Sequence, residues 1–289
     1  MSRDLRVWQV QRDGPRTLGA VLEALGVEAA SALAEGRVWV SRARADDANL
    51  RLAVGERVEV HAARKGDDRA WIVARDAGFV VAYKPALLPT EPDRAGHQSL
   101  TRQVAELISV PQVHAVSRLD VGVSGLVLLA EGREARQRGA ALREAGSIAR
   151  RYVAIAECAP PAARGTIAMP VDGRSAETSF AVVAKAGPHG HSGGGTLSPV
   201  LLALDPVTGR KHQLRHHFRP LLGDRAHGGT RRVTRADGGV IAVPRIMLHA
   251  ARVALPWGTL LAPAASDMVE VWCALGGAAD DLERAASMG

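Results

Sequence analysis

The stretch SRLDVGVSGLVLLA, residues 117–130, joins a charged beginning to an apolar end. It starts with an Arg-Leu-Asp triplet, passes through Gly122 and then Ser124-Gly125, and finishes in the apolar run from Leu126 to Ala130. A short apolar run that follows turn residues is typical of a buried strand. Asp120 therefore lies at the edge of the predicted interior, where a carboxylate either caps a turn or takes part in chemistry.

The segments on both sides of this stretch alternate between strand-like and helix-like patterns. Helices are predicted over 98–108 and 132–144, and the segment from residue 207 is expected to turn into a helix. The glycine-rich segment GPHGHSGGGTLSP, residues 187–199, predicts a flexible hairpin loop. Strands are predicted within the segments 71–89, 149–158, 177–186, 196–205 and 245–257. Many strands with scattered helices indicate an α+β domain with a mixed, mostly antiparallel central sheet and flanking helices.

The first sixty residues have a pattern of their own. TLGAVLEAL, residues 17–25, predicts a helix with one apolar face, and a second helix is expected around 28–34, ending at Gly36. The segment 36–60 reads as short strands joined by turns, and the charged run RKGDDR, residues 64–69, resembles a linker. We therefore expect two domains, a small α+β domain over 1–63 and a larger one over 70–289.

Bulk composition limits the classes of function. The 289-residue chain has 37 Lys and Arg against 30 Asp and Glu, a formal charge of +7, which favours a polyanionic partner such as RNA. Its two cysteines, Cys158 and Cys273, do not form a CxxC pair, which argues against a zinc ribbon or a disulfide scaffold. The charged N-terminus and the lack of a long apolar run predict a cytoplasmic protein that does not enter a membrane.

Three features are candidates for chemistry. Asp120 is either a turn cap paired with Arg118 or a nucleophile or base that an opposing cation keeps ionised. The segment VTGRKHQLRHHFRPLLGD, residues 207–224, is basic, and on a helix its His212 and His216 share a face. The two histidines are possible metal ligands, but no glutamate completes a zinc-hydrolase motif, so a helix that faces nucleic acid is favoured. Tyr152 is either a core residue or an aromatic that stacks on a nucleobase.

Taken together, these segments resemble the RluA-type family of pseudouridine synthases. The opening stretch is similar to the Arg-Leu-Asp signature of that family, and VTGRKHQLRHHF with LLGDRAHGG is similar to its second block. VAYKPALLP resembles its early Lys-Pro segment, and ARRYVAIAEC its strand with a tyrosine. The blocks follow the order of the family from about residue 72 to 257. Residues 17–60 resemble the S4-like RNA-binding module that often precedes this domain.

The resemblance implies that the protein isomerises a specific uridine of rRNA or tRNA to pseudouridine without a cofactor or metal. A monomer is the default expectation, and no protein partner is predicted. It makes Asp120 the catalytic carboxylate and Arg215 its cationic partner, with Arg118 as the alternative partner by proximity. It also makes Tyr152 the residue that stacks on the uracil and relays the C5 proton. The substrate-binding residues that it implies are Arg118, Leu214, Arg210, His212 and Lys84. The small residues after Asp120 would leave room for a ribose and a base.

Two other classes of function stay open at this point. One is a non-catalytic RNA-binding protein on the same fold. The other is a metal-dependent hydrolase that uses His212 and His216, which predicts bound metal and sensitivity to chelators.

Overall fold

A computed structural model describes residues 5–34, 38–41, 43–61, 69–92, 98–191, 195–235 and 237–288. The chain divides into two compact units, Met1–Gly66 and Asp67–Gly289. None of the described helices is both long enough and apolar enough to cross a membrane.

The first unit packs two short helices on a small antiparallel sheet with strand order β1-β4-β2-β3. Its first helix begins after Thr17, whose side chain accepts a hydrogen bond from the Ala20 amide and so caps the helix. Leu18 and Leu22 on that helix are buried against strand residues such as Val58. The predicted end of the second helix at Gly36 lies outside the described residues. The described elements of this unit are β1 (Leu5–Gln9), α1 (Leu18–Ala24), α2 (Ala29–Ala34), β2 (Val38–Val40), β3 (Ala43–Arg44) and β4 (Arg57–His61).

The second unit contains the remaining elements. Its helices are α3 (Leu100–Leu107), α4 (Gly132–Glu144), α5 (Gln213–His217), α6 (Ser266–Ala274) and α7 (Ala279–Ser287), with a 3-10 turn at Arg225–His227. Its strands are β5 (Trp71–Asp76), β6 (Phe79–Lys84), β7 (Val113–Ala115), β8 (Ser124–Glu131), β9 (Ala149–Ala156), β10 (Arg164–Ile167), β11 (Thr178–Lys185), β12 (His189–His191), β13 (Thr196–Leu197), β14 (Val200–Pro206), β15 (Arg232–Thr234), β16 (Val240–Ala242), β17 (Leu248–Leu255) and β18 (Gly258–Leu261).

The main sheet of this unit has the order β10-β11-β14-β9-β17-β8-β6-β5, with β7 paired to β8 and β18 to β17. Among the described strands of this sheet, β8 and β17 pair in parallel, and the other pairs are antiparallel. The mixed, mostly antiparallel sheet with flanking helices confirms the predicted fold class.

The apolar run after Asp120 forms β8, which is buried on both faces. Leu126 and Leu128 pack in the cluster that includes Ala135 of α4, whereas Val127 and Leu129 pack in the cluster that includes residues of α3. Alternate side chains of a strand point to opposite faces of the sheet, so a strand covered on both sides needs a continuous apolar run.

Gly125 allows β8 and β17 to meet. It has φ +116°, and a Cβ at this position would lie 2.2 Å from the carbonyl oxygen of Ala250 and 2.6 Å from its nitrogen. A Cβ on Gly122 would lie 3.0 Å from a side-chain carbon of Ile246. Gly125 therefore accommodates β17, whereas Gly122 lines the cleft described below, and the expectation that the small residues make room for a ribose and a base stays a prediction.

A second, small sheet contains the segment predicted as a flexible hairpin loop. The hairpin is present, because β12 and β13 pair antiparallel, but β12 also pairs with β15 and so is part of a sheet. A partner strand more than forty residues away, with Gly190 opposite Thr234, gives this segment its regular structure. Local composition carries no signal of such a partner. Residues 192–194 lie outside the described part of the chain.

Candidate active site

One cleft of the second unit, with a volume of about 1210 Å³, contains most of the predicted site residues. It is lined by the loop that carries Asp120, the start of β9, the turn before α5 with α5 itself, and the segments around Asp224 and Arg245. Nine of the lining side chains are Lys or Arg and four are Asp or Glu, which leaves an excess of five positive charges. Such a cleft suits a polyanion.

The loop that carries Asp120 is fixed by hydrogen bonds on both sides of the aspartate. The Thr90 hydroxyl donates to the Leu119 carbonyl (2.9 Å) and accepts from the Leu119 amide (3.1 Å). The Lys84 ammonium donates to the carbonyls of Leu88 (2.7 Å) and Val121 (3.3 Å). Both contacts hold the backbone next to Asp120, so the carboxylate has a defined position.

The same contacts correct the expectation that Lys84 binds substrate. Its side chain is fully buried, and its ammonium group is directed at backbone carbonyls and not into the cleft. A buried ammonium needs such acceptors because it has lost its water. Lys84 therefore stabilises the loop that carries Asp120 through a hydrogen bond to its backbone.

Asp120 and Arg215, which are 95 positions apart in the chain, form an ion pair in which Arg215 Nη1 donates to Asp120 Oδ2 at 2.8 Å. The alternative partner, Arg118, forms an ion pair with Glu91 at 2.9 Å, and 73% of its side chain is exposed. Of the two arginines considered from the sequence, Arg215 is thus the one that contacts the aspartate.

Asp224 is a functional candidate that the sequence did not single out. Arg215 donates to it twice, from Nε to Oδ2 (2.8 Å) and from Nη2 to Oδ1 (2.7 Å). Burial raises the pKa of the Asp224 carboxyl, but the hydrogen bonds and the charge of Arg215, followed by those of His227, outweigh burial and lower it. Asp224 thereby fixes one edge of the guanidinium and leaves Nη1 for Asp120. Its only sequence signal was the Gly-Asp of the second block.

Buried polar side chains set the position of α5. The Gln213 amide donates to the Glu177 carbonyl (2.8 Å) and to the Thr178 hydroxyl (2.9 Å), and its oxygen accepts from the Thr208 hydroxyl (2.7 Å). His217 contacts the same Thr178 hydroxyl at 3.0 Å. These bonds tie the helix to β11 and leave Arg215 directed at the two carboxylates.

The helix α5 is short. It spans Gln213–His217, so Arg219 lies beyond it. His212 precedes it in the left-handed region at φ 56°. An isolated helix this short is not stable in water. The side-chain hydrogen bonds of Gln213 and His217 therefore stabilise α5 in its position.

Tyr152 and Leu214 form the apolar part of the cleft. Both belong to one buried cluster, each with 7% exposure, and both line the cleft. Burial raises the pKa of the Tyr152 hydroxyl above 10.0, and the neighbouring charge and hydrogen bond of Arg150 offset this only partly. The phenol is therefore protonated at neutral pH. Arg150, which also lines the cleft, was not singled out from the sequence.

His212 and Arg210 also line the cleft. His212 Nε2 is 3.6 Å from Asp120 Oδ2. Burial lowers the pKa of His212, Asp120 acts in the opposite direction, and Arg215 and Lys211 lower it further, so the imidazole is neutral at neutral pH. Arg210 Nε donates to the Ser175 carbonyl at 2.9 Å. Except for Lys84, every predicted site residue lines this cleft, and the roles given to them stay predictions.

Comparison with known proteins places the chain in a family. A family model described as RNA pseudouridylate synthase matches residues 78–219, a range that includes Asp120, Tyr152 and Arg215. The fold is similar to that of the human RNA pseudouridylate synthase domain containing 4, with a TM-score of 0.55 and 22% identity, over 71% of this chain and 92% of that one. At this identity the structural likeness shows the fold alone.

Curated relatives agree with the family model. The chain is 31% identical over 208 residues to the ribosomal large subunit pseudouridine synthase D of Pseudomonas aeruginosa. The aligned region covers 62% of this chain and 61% of that protein. The match thus spans less than two thirds of the Pseudomonas protein. The chain is 26% identical over 201 residues to the dual-specificity RNA pseudouridine synthase RluA of Escherichia coli K12, over 62% of this chain and 84% of that protein. The chain belongs to the RluA-type family of RNA pseudouridine synthases.

Proposed function

We propose that this protein isomerises a specific uridine in rRNA or tRNA to pseudouridine, with Asp120 as the catalytic carboxylate. The observation that carries the proposal is the Asp120–Arg215 ion pair of 2.8 Å inside a basic cleft of a family member. The names of the relatives, which include a ribosomal and a dual-specificity RNA enzyme, support RNA as the substrate class.

The reaction rearranges one nucleotide and needs no external reactant. The bond between ribose C1′ and uracil N1 breaks, the base turns in the site, and C1′ bonds to C5. C5 loses a proton and N1 gains one, so atoms and electrons balance. Attack of Asp120 on C1′, attack on the ring, or formation of a glycal each require an ionised carboxylate, and the Arg215 guanidinium stabilises that form.

Asp120 is accessible to a bound nucleotide. About a third of its side chain is exposed (31%), whereas Arg215 is 14% exposed and Asp224 is 2% exposed. Arg215 and Asp224, which hold Asp120 in place, are thus more deeply buried than Asp120. The Asp120 carboxylate faces the space where a substrate would bind. This order of burial matches a carboxylate that acts and two groups that position it.

The substrate base must leave its helix to reach this depth, at a cost of a few kcal/mol. Tyr152 and Leu214 provide an apolar, aromatic surface on which the flipped uracil stacks. Arg118, Arg210 and the other cations of the cleft then contact phosphates and offset the cost. We assign to the Tyr152 phenol the relay of the C5 proton.

We also propose that residues 70–289 form the catalytic domain and residues 1–63 an S4-like domain. Two short helices followed by the strands β2 to β4 support the S4-like assignment. The isomerisation involves no net redox change or hydrolysis, so we propose that it proceeds without a cofactor. We also propose that the protein acts as a monomer in the cytoplasm.

The test uses transcripts of rRNA and tRNA made with uridine tritiated at C5, because each isomerisation releases that hydrogen into water. Asp120→Asn should abolish tritium release and leave the dissociation constant for RNA within about threefold, since only the ionisation of one group is lost. Asp237→Asn, which changes an exposed aspartate outside the cleft, is the matched control and should act like the wild type.

The same assay distinguishes an enzyme from the alternative, a non-catalytic RNA-binding protein. A wild-type chain that binds RNA but releases no tritium from any of these RNAs would be a non-catalytic RNA-binding protein. Mapping of pseudouridine in total RNA with and without the gene then identifies the substrate, since the modified site should disappear with the gene.

A further inference from the structure

Three imidazoles come together beside the cleft, and one of them, His212, lines it. His212, just before α5, and His216 are one helical turn apart, and the 3-10 turn at Arg225–His227 brings His227 against them. The ring centroids of His216 and His227 are 4.8 Å apart, and those of His212 and His227 are 5.9 Å apart. One potential ligand atom from each of the three residues lies within 4.8 Å of the others.

This spacing is close to that of a metal centre. With zinc–nitrogen bonds of about 2.0–2.1 Å and tetrahedral angles, the nitrogens lie roughly 3.3 Å apart. Each pair therefore needs to approach by no more than about 1.5 Å, which rotation of partly exposed side chains supplies. All three histidines are partly exposed, so they are free to make this adjustment.

Two carboxylates make the spot favourable for a cation in an otherwise basic cleft. Asp120 Oδ2 is 3.6 Å from His212 Nε2, and Asp224 Oδ2 is 3.1 Å from His227 Nδ1. Against the positive charges of Arg215 and of Lys211, which also acts on His212, these two carboxylates make the immediate surroundings neutral, whereas the cleft as a whole is positive. A carboxylate at Nδ1 of a histidine leaves Nε2 for the metal, which is the usual outer-shell arrangement at zinc sites.

We propose that His212, His216 and His227 form a binding site for one transition-metal ion of the Zn²⁺ class, beside Asp120. Three imidazoles select Zn²⁺, Cu²⁺ or Ni²⁺ over Mg²⁺ and Ca²⁺, which prefer oxygen ligands. The fourth position of the ion is open to water or to Asp120. The site goes beyond the isomerisation, which needs no metal, and beyond the His212–His216 pair visible in the sequence, because His227 comes from a separate turn.

The experiment measures Zn²⁺ binding by the full-length chain in competition with a chromophoric chelator. Cys158 and Cys273 are both exposed thiols, so the measurements use the background C158S/C273S to remove competing ligands. In this background His216→Gln and His227→Gln remove one imidazole each. His114→Gln, on β7 away from the cleft, is the matched control. Circular dichroism checks that each variant is folded.

The expected result is one Zn²⁺ per chain, with affinity lowered at least tenfold in both His216→Gln and His227→Gln and unchanged in His114→Gln. Loss of a ligand should cost at least as much as the roughly 10- to 100-fold typical of outer-shell changes. Absence of binding, or wild-type affinity in either His216→Gln or His227→Gln, would overturn the proposal. Because no RNA is present, the outcome does not depend on whether the chain forms pseudouridine.

Discussion

Replacement of Asp224 by Asn tests whether a buried carboxylate positions the catalytic pair. In the wild type Asp224 accepts two short hydrogen bonds from Arg215, which in turn donates one to Asp120. An Asn at this position retains one acceptor oxygen, turns an amide group toward the second Arg215 N–H, and removes the negative charge. One charge-assisted bond is lost, at a cost of about 1.5–3 kcal/mol.

If the hydrogen bonds from Arg215 to Asp224 orient Arg215 for the reaction, the loss of one of them lowers kcat. Each 1.36 kcal/mol corresponds to about tenfold, so kcat should fall by about 10- to 100-fold. The assay is tritium release under single turnover with saturating RNA, accompanied by urea unfolding and by RNA binding. Because Asp224 is only 2% exposed and lies under Arg215, we expect RNA affinity to change by less than about threefold.

Asp205→Asn is the matched control for this variant. Arg151 donates to Asp205 through the same two-bond geometry, at 2.8 and 2.7 Å, and neither residue lines the cleft. Asp205→Asn should lose stability without losing kcat. The reasoning is refuted if Asp224→Asn keeps kcat within twofold of the wild type, or if the two variants lose kcat equally, because the loss would then reflect stability alone.

Three further predictions concern Tyr152, His249 and Gly125. Tyr152→Phe retains the stacking ring but removes the proposed proton relay, so kcat should fall by about 100-fold or more with RNA affinity nearly unchanged, and a wild-type kcat would exclude the relay. Burial, followed by the charge of Arg245, lowers the pKa of His249 from 6.5 to about 3. Since only the unfolded chain takes up this proton between those values, stability should fall as the pH drops below 6.5, by about 2 kcal/mol at pH 5. His249→Gln should remove that part of the slope in urea unfolding at pH 7 and pH 5, and an unchanged slope would contradict the assignment. Gly125→Ala should cost more than about 3 kcal/mol in urea unfolding because of its clash with Ala250, whereas Gly132→Ala, with a positive φ but open surroundings, should cost about 1–2 kcal/mol.

The sequence predicted the parts of the fold whose patterns are local. The helices α1, α3 and α4 lie within two residues of the predicted bounds, and the apolar residues of α1 repeat with the period of a helix. The strand β8 was evident from its apolar run alone. The mixed sheet followed from the number of strands, and the family signature selected Asp120 and Arg215, which are in contact.

What the sequence did not show depends on residues that are distant in the chain. The pairing of β12 with β15 gives structure to a segment whose composition is that of a loop. Asp224 and His227 lie in a turn with no pattern of its own, and they matter only because that turn packs against α5. The family resemblance implied that Lys84 binds substrate, yet its side chain is buried and three carbonyls provide the acceptors that its burial requires.

The short parallel contact between β8 and β17 divides the second unit into two halves. Its register covers only the pairs His249–Ser124 and Ala250–Gly125. Asp120 belongs to the half that ends with β8, whereas Tyr152 and Arg215 belong to the half that includes β9 and β17. The Asp120–Arg215 bond therefore crosses this boundary, as do the Ser124–His249 bond and the buried cluster that joins Leu126 and Leu128 to Val253 and Leu255. The aspartate and its cation are held in contact only while the two halves are packed together, so the proposed chemistry requires the assembled domain.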